Sequence, residues 1–171
     1  MEDNLEFQKK VMEFHITPDL IKACYQCSKC SDNCPVTAAT ADVSTTTGYN
    51  PRANILMTIL GHRDLLLKGD ELTVWGCTDC VTCDEVCPEH VELTEVFIYL
   101  KNQSIALGRG PDFVYSQAKA VFENGKAIPS QSAIEKRREK LGLPPVIAPD
   151  VGELQTLLKN MGADKKLNRV R

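Results

Sequence analysis

The sequence predicts a mainly α-helical fold, and three observations lead to this class. Segments outside the cysteines carry helix signals, with prolines or capping residues at their starts and glycines at their ends. The stretch between the two cysteine clusters, from Pro35 to Gly76, is long and helix-forming instead of a short strand connection. The 171 residues suffice for one ordinary domain or a compact domain with extensions. We therefore expect a helical domain at 18–125, an N-terminal segment at 1–17 and a C-terminal extension at 126–171.

Local sequence signals predict the helices and loops in the first half of the chain. Thr17-Pro18-Asp19 predicts the start of a short helix that leads into the first cysteine cluster. Residues 36–50 are small and rich in threonine, which predicts a loop. This loop either packs near a cluster and offers hydroxyl or amide donors to its sulfurs, or is a plain solvated loop. Pro51 then opens a helix, and Gly61 supplies its stop. The expected apolar face of this helix consists of Ala53, Leu56, Met57 and Leu60.

Two further helices are expected after the second cysteine cluster. The first ends at Gly108, and the second runs from Pro111 to Gly125. The apolar face of the first consists of Leu93, Val96, Phe97, Leu100 and Leu107. Both helices have the apolar stripe that packs against a domain core.

The C-terminal extension has a different composition. Ser132-x-x-Glu135 predicts a capping box before a highly charged helix, and Asp150-x-x-Glu153 predicts the cap of a last helix. The last helix has an apolar stripe that needs a covering surface, either this domain or a partner protein. A proline-rich linker precedes it, and such linkers often carry arms that dock on a partner. The stripe consists of Val151, Leu154, Leu157, Leu158 and Met161.

All eight cysteines fall into two copies of one pattern. Each copy reads C-x2-C-x2-C-x3-C-P, the run that bacterial-type ferredoxins use to hold 4Fe-4S clusters. The copies are Cys24, Cys27, Cys30, Cys34-Pro35 and Cys77, Cys80, Cys83, Cys87-Pro88. A cube needs one thiolate per iron, and three closely spaced cysteines can wrap one corner of it. The sequence therefore predicts two 4Fe-4S clusters, with the fourth ligand of each arriving from elsewhere.

The fourth ligand is assigned by the behaviour of two-cluster ferredoxins, in which the cysteine before the proline ligates the other cluster. This rule predicts two crossed ligand sets that tie distant segments into one unit. Cluster 1 is held by Cys24, Cys27, Cys30 and Cys87, and cluster 2 by Cys77, Cys80, Cys83 and Cys34. The two motif-bearing halves also resemble a repeat around the cluster pair.

Two other uses of eight cysteines are less favoured than iron-sulfur clusters. A disulfide framework requires an oxidising compartment, and the start of the chain has no apolar leader segment, which favours a cytoplasmic location. Structural zinc sites also use four cysteines. Zinc modules usually present two separated C-x2-C pairs, however, and not three cysteines in one run.

Composition excludes several partner classes. The net charge is -3 and 25% of residues are charged, so neither a nucleic-acid footprint nor a basic membrane patch is expected. The longest apolar stretch, about 55–60, is far shorter than the roughly 20 residues of a membrane helix, so no direct membrane insertion is expected. Phosphate-loop, hydrolase and metalloprotease motifs are missing from the sequence. We therefore expect no catalytic residue and no small-molecule substrate site on this chain.

With these motifs in place, the chain resembles the helical ferredoxin module of the C subunits of heterodisulfide reductases. The resemblance covers Cys24 to about Leu100, including Asn50-Pro51-Arg52-Ala53, the run from Val74 to Cys80, and Cys87-Pro88. A similar module occurs in the iron-sulfur subunits of succinate dehydrogenase and anaerobic glycerol-3-phosphate dehydrogenase. The resemblance implies an α-helical ferredoxin with two 4Fe-4S clusters.

The same resemblance implies an electron-transfer role in an oxidoreductase complex. In the family, electrons pass from the flavin-containing A subunit to the catalytic B subunit, where the coenzyme M-coenzyme B heterodisulfide of methanogenesis is reduced. The A and B subunits are thus the implied partners, in an assembly that can include a hydrogenase or a formate dehydrogenase. Two alternatives stay open: an electron-transfer subunit of a different oxidoreductase, acting on hydroxy acids, glycerol phosphate or sulfur compounds, and a structural iron-sulfur module.

Overall fold

The computed structural model describes residues 2–14, 19–40, 48–68, 72–128, 131–147 and 150–167. The described residues form α-helices and two 3₁₀ helices, and none of them lies in a strand. The predicted fold class, mainly α, is confirmed. The chain divides into two compact units, Met1–Gly110 and Pro111–Arg171. This division falls one helix earlier than the boundary after residue 125 that the sequence led us to expect.

The first unit contains seven described α-helices and both 3₁₀ helices. Their bounds are α1 (Glu2–Phe14), a first 3₁₀ helix (Leu20–Ala23), α2 (Lys29–Asp32), α3 (Pro35–Thr40), α4 (Pro51–Ile59), α5 (Arg63–Leu66), a second 3₁₀ helix (Val74–Gly76), α6 (Thr82–Glu85) and α7 (Leu93–Ala106). The predicted helix start at Thr17-Pro18 lies outside the described residues. Asp19 precedes the first 3₁₀ helix, which leads directly into the first cysteine cluster.

Helix α3 corrects the loop predicted for residues 36–50. Pro35 is its first residue, and the Ala38 N–H donates to the Cys34 carbonyl at 3.0 Å. The Thr40 hydroxyl donates to the Val36 carbonyl at 2.8 Å, so this threonine supports the helix instead of opening a loop. The remaining residues of the predicted loop, 41–47, lie outside the described residues.

The core of the first unit lies where α1, α4, α5 and α7 pack together. Phe7 and Val11 of α1 are buried in it, so the N-terminal segment is part of this unit. The buried face of α7 is confirmed for four of the predicted residues, Leu93, Val96, Phe97 and Leu100. Burial of each such side chain contributes roughly 1.5–3 kcal/mol. Other fully buried residues are Ile55, Leu66, Leu67, Val74 and Val91.

The face predicted for α4 is correct only in part, since Met57 packs against the core and Ala53 is half-buried. Leu56 and Leu60 are exposed, and the helix buries Asn54, Ile55 and Thr58 instead. The two polar residues are satisfied in the core, because Asn54 Nδ2 donates to the Thr73 carbonyl at 3.3 Å and Thr58 Oγ1 donates to the Asn54 carbonyl at 2.7 Å. Because two of the buried residues are polar, the apolar periodicity of the sequence does not identify the face of α4 that is buried.

The second unit is helical as well. Its described helices are α8 (Asp112–Asn124), α9 (Ser132–Lys140), α10 (Val151–Asn160) and α11 (Ala163–Leu167). Gly125 ends α8 with a φ of 67°, as predicted. The predicted capping box is not formed, because the N-cap of α9 is Gln131 and Ser132 is already helical. Asp150 does cap α10, accepting the Gly152 N–H at 2.9 Å.

Part of the stripe on α10 is covered within the same unit. Helix α10 packs on α8 and α11, and Gln155 Nε2 donates to the Phe122 carbonyl at 3.1 Å. Leu157 and Met161 of the stripe remain exposed. Among the described residues, no helix combines the length and apolar character that a bilayer crossing demands.

Candidate functional site

The eight cysteines line two separate cavities in the first unit. Each cavity is lined by the first three cysteines of one motif and the fourth cysteine of the other. The first cavity is lined by Cys24, Cys27, Cys30 and Cys87, and the second cavity by Cys77, Cys80, Cys83 and Cys34. The space between the atoms, partly open to solvent, is about 290 Å³ in the first and about 310 Å³ in the second. None of the eight cysteines, all of which the structure describes, is joined to another in a disulfide.

The cysteine loops around the two cavities use left-handed backbone at the same two positions. In the first motif φ is 63° at Gln26 and 73° at Ser28, and in the second it is 54° at Asp79 and 64° at Val81. These residues lie directly before and after the second cysteine of each motif, Cys27 or Cys80. Such angles are uncommon without glycine, and for a β-branched residue such as Val81 they are a genuine outlier costing about 1–3 kcal/mol. The strained turns curl each loop around one cavity.

A short helix follows each loop and anchors it to the next long helix. Helices α2 and α6 pack against each other. After the first loop, Ser31 Oγ donates to Asn50 Oδ1 at 2.8 Å, and the Asn50 side chain caps α4 by accepting the Ala53 N–H at 3.0 Å. After the second loop, Asp84 Oδ1 accepts the Thr94 N–H at 3.0 Å in the first turn of α7. The two halves are therefore built alike.

Backbone amides point at several cysteine sulfurs. The Asp79 N–H donates to Cys77 Sγ at 3.4 Å, and the Val91 N–H donates to Cys87 Sγ at 3.4 Å. His90, which precedes Val91, has a φ of 52° and an exposed side chain. The peptide after His90, not its imidazole, thus reaches the sulfur. Hydrogen bonds of this kind stabilise thiolate charge and tune the potential of a bound cluster.

Tyr49 supplies an unpaired donor beside the second cavity, which it helps to line. Its side chain is 2% exposed, and within the described structure its buried hydroxyl has no hydrogen-bond partner. Burial, followed by the nearby Cys77, holds the pKa of Tyr49 well above its usual range, so the hydroxyl keeps its proton. A Cβ on Gly76 would lie 2.5 Å from Tyr49 Cδ2, so Gly76 makes room for this ring. The cavity is therefore prepared for a hydrogen-bond acceptor.

Burial also changes the pKa of several cysteine thiols. It raises the pKa of Cys30 and Cys77, and it raises the pKa of Cys83 to about 12. Cys80 is exposed, and hydrogen bonds from Thr82 lower its pKa. Iron binds the thiolate form, so cluster assembly must remove protons from these three half-buried thiols. Higher pH therefore favours assembly.

The donor set fits two cubane clusters. Each cavity offers four thiols, one for each iron of a 4Fe-4S cube. Neither set of lining residues, all of them described in the structure, includes a histidine, aspartate or glutamate. The unpaired Tyr49 hydroxyl adds a donor of the kind that cluster sulfurs accept.

Comparison with known proteins identifies the cofactor class. Residues 20–91 match the family model of the 4Fe-4S dicluster domain, and this range contains all eight cysteines. The two predicted 4Fe-4S clusters are thereby confirmed as the cofactors, and structural zinc is set aside.

Curated relatives extend the similarity over most of the chain. The iron-sulfur C 2 subunit of the CoB-CoM heterodisulfide reductase of Methanocaldococcus jannaschii is 35% identical over 151 residues, which cover 85% of this chain and 76% of the relative. The chain belongs to the family of heterodisulfide reductase C subunits. A second member, the C2 subunit of the H(2)/formate:CoB-CoM heterodisulfide,ferredoxin reductase of Methanococcus maripaludis, is 33% identical over 85% of this chain and 77% of its own length. The C subunit of the ferredoxin:CoB-CoM heterodisulfide reductase of Methanosarcina mazei is 29% identical over 85% of this chain and 88% of its own length.

The sequence did not reveal several residues that shape the two cavities of this family member. Tyr49 and Thr94 line the second cavity, and Arg52 lines the first. Arg52 and Thr94 each lie at the second position of a long helix, α4 and α7 respectively. The Asn50-Pro51 start of α4 marked where a helix begins, but not that its first turn lines a cavity.

Proposed function

We propose that this subunit relays electrons within a heterodisulfide reductase complex, from the flavin-containing A subunit to the catalytic B subunit that reduces the coenzyme M-coenzyme B heterodisulfide. Family membership supports this role, since several relatives are named as iron-sulfur subunits of such enzymes. The proposed partners are the A and B subunits. A larger assembly with a hydrogenase or formate dehydrogenase accords with the relative named for H(2) and formate.

The observation that carries the proposal is the pairing of the two four-cysteine cavities. We propose that each cavity binds one 4Fe-4S cluster through the four cysteines that line it. The ligands are Cys24, Cys27, Cys30 and Cys87 for cluster 1, and Cys77, Cys80, Cys83 and Cys34 for cluster 2. A bound 4Fe-4S cluster takes up and gives back one electron at a time. Two such centres in one small unit suit a relay.

The surrounding residues support electron transfer without substrate chemistry. Leu93 lines the first cavity and Val81 the second, and such apolar side chains limit the access of water to a cluster. The middle cysteines, Cys27 and Cys80, are exposed, so each cavity has its own opening to the surface. Each cluster can therefore face a different partner. We propose that this chain has no substrate site and that the disulfide is reduced on the B subunit.

Serine variants test the crossed ligand sets. Cys24→Ser and Cys87→Ser should alter the same electron paramagnetic resonance signal, because the crossed arrangement puts both residues on cluster 1. Cys77→Ser and Cys34→Ser should alter the other signal. The proposed ligation is wrong if Cys87→Ser alters the same signal as Cys77→Ser. Iron content provides the control, since two intact clusters correspond to about eight irons per chain.

Reconstitution with partner proteins tests the relay. The protein is mixed with purified A and B subunits, and heterodisulfide reduction is followed with electrons supplied through the flavin of the A subunit. Activity should be lost when this chain is omitted or when Cys24→Ser disrupts cluster 1. A small reduced dye that donates directly to the B subunit should still support activity in both cases. Undiminished flavin-driven activity without this chain would exclude the relay.

A further inference from the structure

The repeat of the two halves allows their cavity residues to be compared one for one. Gln26 in the first loop corresponds to Asp79 in the second, since each precedes the middle cysteine and each has a left-handed φ. Ser31 corresponds to Asp84, since each follows the third cysteine and each bonds to the next long helix. These pairs occupy equivalent places around the two clusters.

Two further pairs follow from the same repeat. Lys29 and Thr82 each precede the third cysteine of their motif and begin α2 and α6. The Arg52 N–H donates to Ser31 Oγ at 3.3 Å, just as the Thr94 N–H donates to Asp84. Arg52 and Thr94 are therefore equivalent as well, at the second position of α4 and α7.

In each of the four pairs, the residue at the first cluster carries a more positive charge than its equivalent at the second cluster. Lys29 and Arg52 line the first cavity, while no charged residue is among those that line the second. The positions equivalent to these two cations hold Thr82 and Thr94, which are neutral. Arg52 is half-buried, so solvent screens its charge less than that of the exposed Lys29.

Two carboxylates lie beside cysteine sulfurs of the second set, although neither aspartate lines the cavity itself. Asp79 Oδ1 lies 3.4 Å from Cys77 Sγ, and Asp84 Oδ1 lies 3.5 Å from Cys83 Sγ. Lys101 pairs with Asp79 at 2.8 Å and also donates to the Cys77 carbonyl at 2.8 Å, so it neutralises Asp79 beside Cys77. The negative charge next to a cluster 2 ligand therefore comes from Asp84, which repels the Cys83 thiolate that binds iron. The equivalent positions of the first motif, Gln26 and Ser31, are neutral.

We propose that the two clusters have unequal potentials, with cluster 1 reduced first because Arg52 and Lys29 line its cavity while Asp84 lies beside a ligand of cluster 2. Reduction adds a negative charge, which nearby cations stabilise and nearby carboxylates oppose. This inference deepens the proposed relay and rests on its ligand sets. It gives the relay a direction, with electrons entering at cluster 2 and leaving from cluster 1.

The transfer between the clusters moves one electron and no proton. Cluster 2 returns from the 1+ to the 2+ level while cluster 1 passes from the 2+ to the 1+ level, and no bond forms or breaks. The electron on cluster 2 comes from a one-electron donor, which is the electron-donating subunit in the complex and dithionite in the test. The role of Arg52 is to raise the midpoint potential of cluster 1.

An anaerobic redox titration of the full chain with both clusters bound, followed by electron paramagnetic resonance, tests the inference. The wild-type protein should show two signals with different midpoint potentials. Arg52→Gln should shift the midpoint of the higher-potential signal to a more negative value and leave the other unchanged. Arg52→Lys, which keeps the charge, should restore most of the shift. Arg63→Gln is the matched control, since Arg63 lines neither cavity and its loss should move neither midpoint.

The variant Asp84→Asn provides an independent test of the same inference. The asparagine oxygen can still accept the Thr94 N–H, so the start of α7 is kept while the charge beside Cys83 is removed. The midpoint of the lower-potential signal should shift to a more positive value. The inference is overturned if the wild-type midpoints coincide, if Arg52→Gln moves the lower-potential signal or none, or if both variants move the same signal. A protein that binds about four irons instead would contradict the two-cluster proposal itself.

Discussion

Replacement of Gly76 by alanine is the sharpest test of how the second cavity is built. The added Cβ would lie 2.5 Å from Cδ2 and 2.9 Å from Cγ of Tyr49. Carbon atoms in contact are normally about 3.5–4.0 Å apart, so the ring would have to move by roughly 1 Å. Tyr49 is 2% exposed, and its ring packs edge-on against the fully buried Phe97 with the centroids 6.3 Å apart. The ring therefore has little room to yield.

Two opposing effects set the magnitude. Overpacking a core by one methyl group costs about 1–3 kcal/mol. Alanine also restricts the unfolded chain more than glycine does, which stabilises the fold by about 0.4–1 kcal/mol where the backbone accepts it. The net expectation for Gly76→Ala is a destabilisation of about 1 kcal/mol. In a chain of this size that corresponds to a fall of roughly 2–4 °C in the apparent melting temperature.

The assay is anaerobic thermal unfolding followed by far-ultraviolet circular dichroism and by the visible absorption of the clusters. Double variants separate the clash from other effects. Tyr49→Phe keeps the ring, so the penalty of Gly76→Ala should persist in that background. Tyr49→Leu removes the ring, so the penalty should fall by more than half. A Gly76→Ala protein as stable as wild type, or a penalty unchanged beside Tyr49→Leu, would refute the contact.

Two further predictions concern the second motif and its support. In the cluster-free protein, iodoacetamide should modify Cys80 well before Cys83, as followed by mass spectrometry, because hydrogen bonds from Thr82 lower the pKa of Cys80 whereas burial raises the pKa of Cys83 to about 12. Equal rates at pH 7–8 would contradict this order. Trp75→Phe should lower the free energy of unfolding by about 1–3 kcal/mol, because Trp75 Nε1 donates to the buried Ser104 Oγ at 3.1 Å and its loss leaves that hydroxyl without this partner. Denaturant unfolding measures the change, and a wild-type midpoint would show the bond to be dispensable.

The helices with clear boundary signals were predicted well. Helix α7 buries four residues of its predicted face, and α8 ends at Gly125 in the left-handed conformation. These features depend on residues close together in the chain, whose periodicity and backbone preferences act locally. The capping box at Ser132 was wrong by one residue, since Gln131 is the N-cap. Helix ends are decided by small energy differences between neighbouring registers.

Other predictions that failed depend on contacts between segments that are distant in the chain. The buried face of α4 includes Asn54, whose amide finds a carbonyl acceptor in Thr73, a residue brought close by the fold. A hydrophobic pattern cannot anticipate a polar group that is satisfied by a distant segment. The segment that contains Tyr49 was expected to offer hydroxyl donors near a cluster, but Tyr49 itself was not singled out, because its position depends on Gly76 and on a cavity assembled by both motifs.

The cysteine spacing by itself determined the cofactor class, because a cube needs one thiolate per iron, and the behaviour of two-cluster ferredoxins gave the expected grouping of the ligands. The signals for helix starts and stops determined the fold class. Only the tertiary structure brought Arg52 to the first cavity, because Arg52 lies far along the chain from the cysteines of that cavity. Asp84 directly follows Cys83, so the sequence already places this carboxylate next to a ligand, 3.5 Å from its sulfur. Electrostatic tuning acts through space over a few ångströms, and some of the neighbours at that distance come from segments that the chain order keeps apart. The two motifs are therefore nearly equivalent as sequence patterns, while their surroundings in the fold make them different.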